Sequence, residues 1–406
     1  MTIRRPLACI ALLAALVLTA AGCGRGSSPK TVEPAAKTTA STADDRLAPP
    51  DHDPEPSPDA ASADPTATLP VADLAGELVM TKLDGPTATA EELAAIRDGA
   101  VGNIVLFGPN VVDAAQLTAL TASLDRARLA RATKRGLAPG VIVSVDQEGG
   151  SIRNIPFSPP ESTQPEIAAR GDATEPRAIG VSTGRGMRAL GVSMVLGPVA
   201  DLSEGPNRTM SGRSFGSDPA AVSKLITATV EGIQLTKTAT AVKHFPGFGA
   251  SSQNSDNGVA KVALTKEQLE GADLQPFRAA IAAKADAIMV SHGIYAAYGS
   301  TLPASIEPKI VTGLLKTRLK FAGVAMTDSM NARGFRDAWS STVPMACPAA
   351  IAAGIDLVLL TGSLETATLC RKDIILAVDA GTLDESRVRD AARRVNELRM
   401  RIARGA

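Results

Sequence analysis

Several apolar runs in this chain end in a charged or titratable residue. Asp146 follows VIVSV, Asp201 follows GPVA, and Lys243 and His244 finish TAVKH. His292 follows AIMVS, and Asp328 follows GVAMT. After His244 the chain breaks into a polar stretch, FPGFGASSQNSDNG, which holds Asp256. Carboxylates accept hydrogen bonds and exchange protons, while lysine and imidazole donate charge-assisted hydrogen bonds. One such residue at a strand end means little. Five strand ends converging on one face would form a site. No glycine fingerprint for a dinucleotide or phosphate follows an early strand. Three histidines, His52, His244 and His292, give no zinc-ligand spacing, so no metal and no cofactor are expected.

The elements that carry these residues read as short, continuous apolar runs, as expected of parallel strands covered on both sides. They are LVMTKL (78–83), NIVLF (103–107), VIVSV (141–145), SMVLG (193–197), TAVKH (240–244), AIMVS (287–291), GVAMT (323–327) and DLVLL (356–360). Helical stretches such as AAQLTALTASLDRARLARA and ESRVRDAARRVNELRMRIA separate or follow them. Eight strands alternating with helices predict a single-domain α/β fold, a (β/α)8 TIM-type barrel, over residues 76–406. A doubly wound open sheet is the alternative. A barrel would gather the strand-end residues at its C-terminal face.

The motifs VDQEGG (145–150), GRSFGSDP (212–219), KHFPGFG (243–249), PASIEP (303–308) and AMTDSM (325–330) follow one another in this order. In them the chain resembles family 3 glycoside hydrolases, above all single-domain bacterial β-N-acetylglucosaminidases, including mycobacterial-type lipoproteins. The resemblance runs from residue 76 almost to the end, and no second C-terminal domain is expected. It implies retaining hydrolysis of terminal β-linked N-acetylglucosamine in cell-envelope glycans or peptidoglycan fragments. It also implies Asp328 as the nucleophile and Asp146, Arg213, Lys243 and His244 as residues that bind the sugar. His292 is expected to pack at the barrel mouth, Phe215 in the core, and Asp218–Pro219 at a helix start.

Two segments depart from the family pattern. The family usually continues KHFPGHG, four residues, then DSH, where the last histidine is the acid/base and the aspartate its partner. Here Phe248 replaces the first of those histidines, and Asn254-Ser255-Asp256 replaces DSH. Asp256 occupies the acid/base position, and a carboxyl group can protonate a glycosidic oxygen if its surroundings raise its pKa. After DQEGG the family usually has arginine at the next position and again three residues later. This chain has Ser151 and Asn154 there, with Arg153 one place early as the substitute sugar-binding arginine. On a regular strand, a shift of one residue reverses the side chain's direction. The alternative readings are a carbohydrate-binding lipoprotein without turnover and a glycosidase for another sugar.

The composition is consistent with an envelope enzyme. With 42 basic and 42 acidic residues, the chain gives no electrostatic reason to bind nucleic acid. Aromatic residues are 3%, with Trp339 the sole tryptophan, which disfavours a long ring-paved polysaccharide cleft and suits a pocket for one terminal sugar. Arg4 and Arg5 precede LACIALLAALVLTAAG, which stops at Cys23. This predicts a signal peptide over 1–22, lipidation at Cys23 and an exported, lipid-anchored monomer at the outer face of the cytoplasmic membrane. Plain secretion is the alternative. Residues 23–75, rich in Pro, Ala, Thr and Asp, predict a disordered tether. Cys9 would leave with the signal, so Cys347 and Cys370 either form a disulfide or stay free.

Overall fold

A computed structural model describes residues 64–403 except 173, 204–208 and 252. Cys23, the signal segment and most of the predicted tether lie outside the described residues. The expectations for eight strands correspond to β1 (Val79–Lys82), β2 (Asn103–Leu106), β3 (Ile142–Val145), β4 (Met194–Val195), β5 (Ala239–Phe245), β6 (Ala287–Val290), β7 (Val324–Thr327) and β8 (Val358–Leu360). Each strand pairs in parallel with the next along the chain, from Met80–Asn103 between β1 and β2 to Ala287–Val324 between β6 and β7. β1 also pairs in parallel with β8 through Val79–Val358. The last seam, β7 to β8, is a parallel bridge between Met326 and Leu357, where Asp356 N–H donates to Ala325 O at 2.7 Å. The sheet therefore closes into the (β/α)8 barrel.

Alternation along each strand divides the core in two. Met80, Val105, Ile142, Met194, Ala239, Ala241, Met289, Val324, Met326 and Leu359 fill the barrel interior. Val79, Ile104, Val143, Val195, Val242, Ile288, Ala325 and Val358 face the surrounding helices. Both faces are apolar, so the strands read as unbroken hydrophobic runs rather than alternating ones.

The end at which the strands begin is sealed. Val395 and Leu398 of the helix Glu385–Ala403 join the interior cluster. Beside them Glu77 is buried among three arginines. It accepts from Arg128 at 2.9 and 3.1 Å, from Arg131 at 2.8 Å and from Arg399 at 2.8 Å. Burial opposes its ionisation, but these guanidiniums outweigh that and hold its pKa at about 2.

The last residues of the stretch predicted as a tether, from Asp64 on, are folded. Helical turns form at Pro65–Ala67 and Val71–Leu74, and Leu74 and Ala75 are fully buried. Arg389 donates to Thr66 O at 2.8 Å and Leu69 O at 2.9 Å, tying this segment to the last helix. A few apolar residues at its end suffice to pack it, and an average over the whole stretch hides them. Cys347 and Cys370 form a disulfide between the helices Val343–Ala353 and Leu364–Asp379, with Cα atoms 5.7 Å apart.

Candidate active site

The opposite end, where the strands finish, is open. A cleft of about 510 Å3 lies there. Phe107 from the end of β2, Asp146 after β3, Lys243 and His244 of β5, Asp328 after β7 and Thr361 after β8 all line it. At β5 the pairing with β6 steps from Lys243–Met289 to Phe245–Val290, skipping His244. This irregularity lets two successive side chains reach the cleft, which a regular strand would not allow. The Lys243–His244 and Phe245–Pro246 peptide bonds are cis.

Four charges form the floor. Glu148, nearly buried, accepts from Arg213 in a two-pronged contact, Nε at 2.8 Å and Nη2 at 2.7 Å, and from Lys243 Nζ at 2.7 Å. Lys243 Nζ also donates to Asp146. Burial disfavours the charge on Glu148, yet Lys243 and Arg213 hold its pKa at about 2. Lys243 is raised in turn: Asp146 and Glu148 outweigh its own desolvation. Two cations and two carboxylates thus balance in the floor, and Asp146 stays partly exposed to the cleft. Carboxylate and ammonium together can grip neighbouring hydroxyl groups.

His244 is held from behind. Its Nδ1 lies 2.7 Å from Oδ2 of fully buried Asp201, which also accepts from Phe248 N–H at 2.7 Å. His292 has partners on both ring nitrogens, Ser305 Oγ and Ser329 O, each at 2.8 Å, and its ring lies 4.7 Å from that of Phe335. Burial lowers its pKa despite the nearby Asp328 charge.

Asp328 takes a hydrogen bond from Ser329 N–H at 2.7 Å on Oδ1, and its own N–H donates to Val290 O at 3.0 Å. Burial works against its charge, but His244, His292, the Ser329 N–H and Lys243 prevail and hold its pKa below the ordinary carboxylate value. Asp256, on the cleft rim, moves the other way. Partial desolvation and then the Asp328 charge raise its pKa. One cleft therefore shifts two carboxyls in opposite directions.

Two backbone contacts hold the part of the polar stretch that carries Asp256. Asp256 N–H donates to Asn254 Oδ1 at 2.9 Å, and Gly334 N–H donates to Ser255 O at 2.7 Å. A Cβ on Gly334 would lie 2.1 Å from Gly258 O, so only glycine permits this contact between the loop and the helix Arg333–Ala338. Phe248 is buried and supplies an apolar wall.

Arg153 is not brought to the cleft. Its Nε donates to Ser158 O at 2.9 Å, its guanidinium lies 3.6 Å from Glu161, and Ile152 lines the cleft in its place. The reversal that accompanies a one-residue shift along a strand accounts for this correction. Asn154 bridges two loops, donating to Asp146 O at 2.9 Å and accepting from Gly108 N–H at 3.0 Å. Phe215 is buried, and Asp218 caps the helix Pro219–Gln234. Residue-by-residue reading left Glu148 without a role. The signal was available, because a lysine buried in a strand needs a carboxylate beside it.

A barrel whose mouth gathers carboxyls of opposite tendency with hydroxyl-gripping charges is the architecture of a glycosidase. The chain belongs to glycosyl hydrolase family 3: the profile of the Glycosyl hydrolase family 3 N terminal domain matches residues 71–398. It is 32% identical to a beta-hexosaminidase of Xylella fastidiosa over 70% of this chain and 83% of that one. It is 29% identical to an uncharacterized secreted glycosyl hydrolase of Arthroderma benhamiae, over 85% and 97%. Among solved structures, the beta-N-acetylhexosaminidase of Beutenbergia cavernae superposes with a TM-score of 0.74 at 30% identity, covering 82% of this chain and 99% of that one. A family 3 beta-N-acetylglucosaminidase of Paenibacillus superposes with 0.77 at 30% identity; this chain, matched over 83%, spans 64% of that longer protein.

Proposed function

We propose that the protein is a retaining exo-β-N-acetylhexosaminidase that removes terminal sugars from cell-envelope glycans or peptidoglycan fragments. The observation that carries this reading is the pair of carboxyls lining one cleft, with the pKa of Asp328 lowered and that of Asp256 raised. Asp328 attacks the anomeric carbon as the glycosidic C–O bond breaks, and Asp256 gives its proton to the departing oxygen. In the second step Asp256 takes a proton from water, the water oxygen bonds the anomeric carbon, and the bond to Asp328 breaks. Two inversions restore the original configuration. Asp146, Arg213, Lys243 and His244 hold the sugar hydroxyls and acetamido group, with Asp201 fixing the His244 ring.

Assay against an activated aryl N-acetyl-β-glucosaminide, beside a panel of other aryl glycosides, tests this. Selective release from the N-acetyl substrate with the β-sugar as first product is expected. The absence of a histidine in the loop after Phe245 favours a second reading, a carbohydrate-binding protein without turnover. Inactivity on every glycoside, with retained sugar binding, would establish that reading instead.

The same proposal places the protein outside the cytoplasm, anchored by a lipid on Cys23. It rests on Arg4, Arg5 and the apolar run before Cys23, and a secreted relative accords with it. Among the described residues, no helix is long and apolar enough to cross a membrane. With membranes washed in about 0.5 M salt to remove charge-held protein, Cys23→Ala should move the protein from the membrane fraction to the soluble one, and unchanged partition would refute the anchor.

A further inference from the structure

Three residues other than glycine adopt left-handed backbone geometry among the described residues, and all three are lysines: Lys237 (φ 63°), Lys284 (φ 57°) and Lys320 (φ 56°). They occupy equivalent places, in the loops that enter β5, β6 and β7. The corresponding loops into β2, β4 and β8 use Gly99, Gly191 and Gly354 (φ 72°, 73° and 115°). A side chain at such a φ is uncommon and strained, and glycine relieves the strain at no steric cost. Three consecutive loops therefore keep a cation where the backbone favours glycine.

Each left-handed residue follows a helix and takes part in a capping turn: the N–H groups of Lys237 and Lys284 donate to Gln234 O and Ile281 O at 3.0 Å, and those of Ala285 and Phe321 close back on Ala280 O and Leu315 O at 2.9 and 3.2 Å. All three lysines are exposed, and among the described residues none of them makes an ion pair. A helix C-terminus favours a nearby cation, but any position in its last turn provides that without a left-handed backbone. Glycine would make the same backbone bonds, so the turns leave three exposed cationic side chains available to something outside the molecule.

The lysines belong to a continuous basic face. Arg188 donates to Lys237 O at 3.1 Å, and Gln234 donates to Lys284 O at 3.1 Å. Lys284 and Lys320 line one hollow with Arg394 and Arg401. Arg185 and Arg126, both exposed, extend the face. Three acidic residues beside these cations are already engaged: Asp286 with Arg401, Glu397 with Arg393, and Asp125 with Val141 N–H. Two leucines stand out of the same end, Leu129 at 52% and Leu235 at 57% exposure.

Cations interspersed with exposed aliphatic side chains suit the headgroup region of a bilayer, where charge meets anionic lipid and leucine enters the acyl boundary. We propose that the strand-entry end of the barrel is a docking surface for a bilayer bearing anionic phospholipid. In that orientation the cleft, at the opposite end, faces away from the membrane. This surface stands whether or not Cys23 is lipidated, because it rests on the barrel alone.

The test uses the full chain with phosphatidylcholine vesicles, with or without about one third phosphatidylglycerol. Brief acetylation followed by mass spectrometry reads each lysine. Labelling of Lys237, Lys284 and Lys320 should fall ~10-fold on anionic vesicles only and recover in about 0.5 M salt, while Lys261 and Lys266, in the segment that follows the end of β5, stay constant. Lys237→Gly combined with Lys284→Gly and Lys320→Gly removes strain together with charge, so its Tm should equal or exceed the parent's. Its salt-sensitive sedimentation with anionic vesicles should fall on the order of 100-fold, from roughly five-fold per lysine. Equal labelling on both vesicle types, or unchanged salt-sensitive sedimentation of the triple variant, would overturn the proposal. Protection by soluble polyphosphate as strong as by vesicles would overturn the choice of a bilayer.

Discussion

Each end of the barrel holds a buried glutamate at a pKa of about 2 by surrounding it with cations, and the two serve different ends. Around Glu77 the partners are Arg128, Arg131 and Arg399, all buried, and the cluster is closed to the cleft. Around Glu148 the partners are Lys243 and Arg213, which also line the cleft beside Asp146. One network closes the barrel, whereas the other keeps charges aligned at an open surface. A buried ion pair alone therefore says nothing of function. What distinguishes the two is whether its members also face space that a ligand can enter.

The largest expected effect lies at the open end. Asp328→Ala should lower kcat/KM on the order of 1000-fold or more, since the other carboxyls in the cleft are paired in the floor or stand on the rim. Thermal unfolding should barely change, because Asp328 is not part of the core. An active Asp328→Ala variant would break the assignment of this end as the reacting one.

The two glutamates sharpen the comparison directly. Glu77→Gln leaves buried arginines without their anion and should destabilise the fold by about 3–5 kcal/mol, read by denaturant unfolding at neutral pH. A carboxyl with a depressed folded-state pKa stabilises above its unfolded value near 4.5 and loses that contribution as pH falls toward about 2. The difference between parent and Glu77→Gln should therefore be full at pH 7 and shrink across that acidic window. Glu77→Gln should leave KM and kcat unchanged in the folded fraction. Glu148→Gln should instead raise KM, because Lys243 and Arg213 lose the partner that aims them. Equal effects of both variants on KM would remove the distinction between the two ends.

The sequence made the scaffold legible because parallel strands buried on both faces appear as continuous apolar runs, and all eight were placed within a residue or two of their observed limits. The strand-end rule likewise brought Asp146, Lys243, His244 and Asp328 to one face. What escaped depended on contacts between distant residues. Asp201 was visible at a strand end, but its hold on His244 bridges 43 positions. The segment around Asp256 read only as a polar stretch, and nothing local showed that Gly334 lets a helix pack against it. Arg153 illustrates the reverse case: strand parity already argued against it, and the structure follows parity.

The smallest and most discriminating effect concerns Asp256. If its carboxyl supplies the proton to the leaving oxygen, its loss matters in proportion to the leaving group's need for that proton. Asp256→Ala should slow a natural disaccharide or alkyl glycoside by about 100-fold, but a dinitrophenyl glycoside by less than ~10-fold in the glycosylation step. Azide should then rescue the second step, since an anionic nucleophile needs no base. The pH profile carries a separate signature. Under the proposed roles, activity would require Asp328 ionised and Asp256 protonated, so the acidic limb would belong to the lowered Asp328 and the basic limb to the raised Asp256. Removing Asp256 should erase the basic limb and leave the acidic one. Restoring the family pattern with Asn254→Asp and Asp256→His should preserve a bell while moving its basic limb upward, because imidazole titrates above a carboxyl. Equal losses on good and poor leaving groups, with both limbs intact, would make Asp256 a rim residue and leave the open end with a nucleophile but no acid.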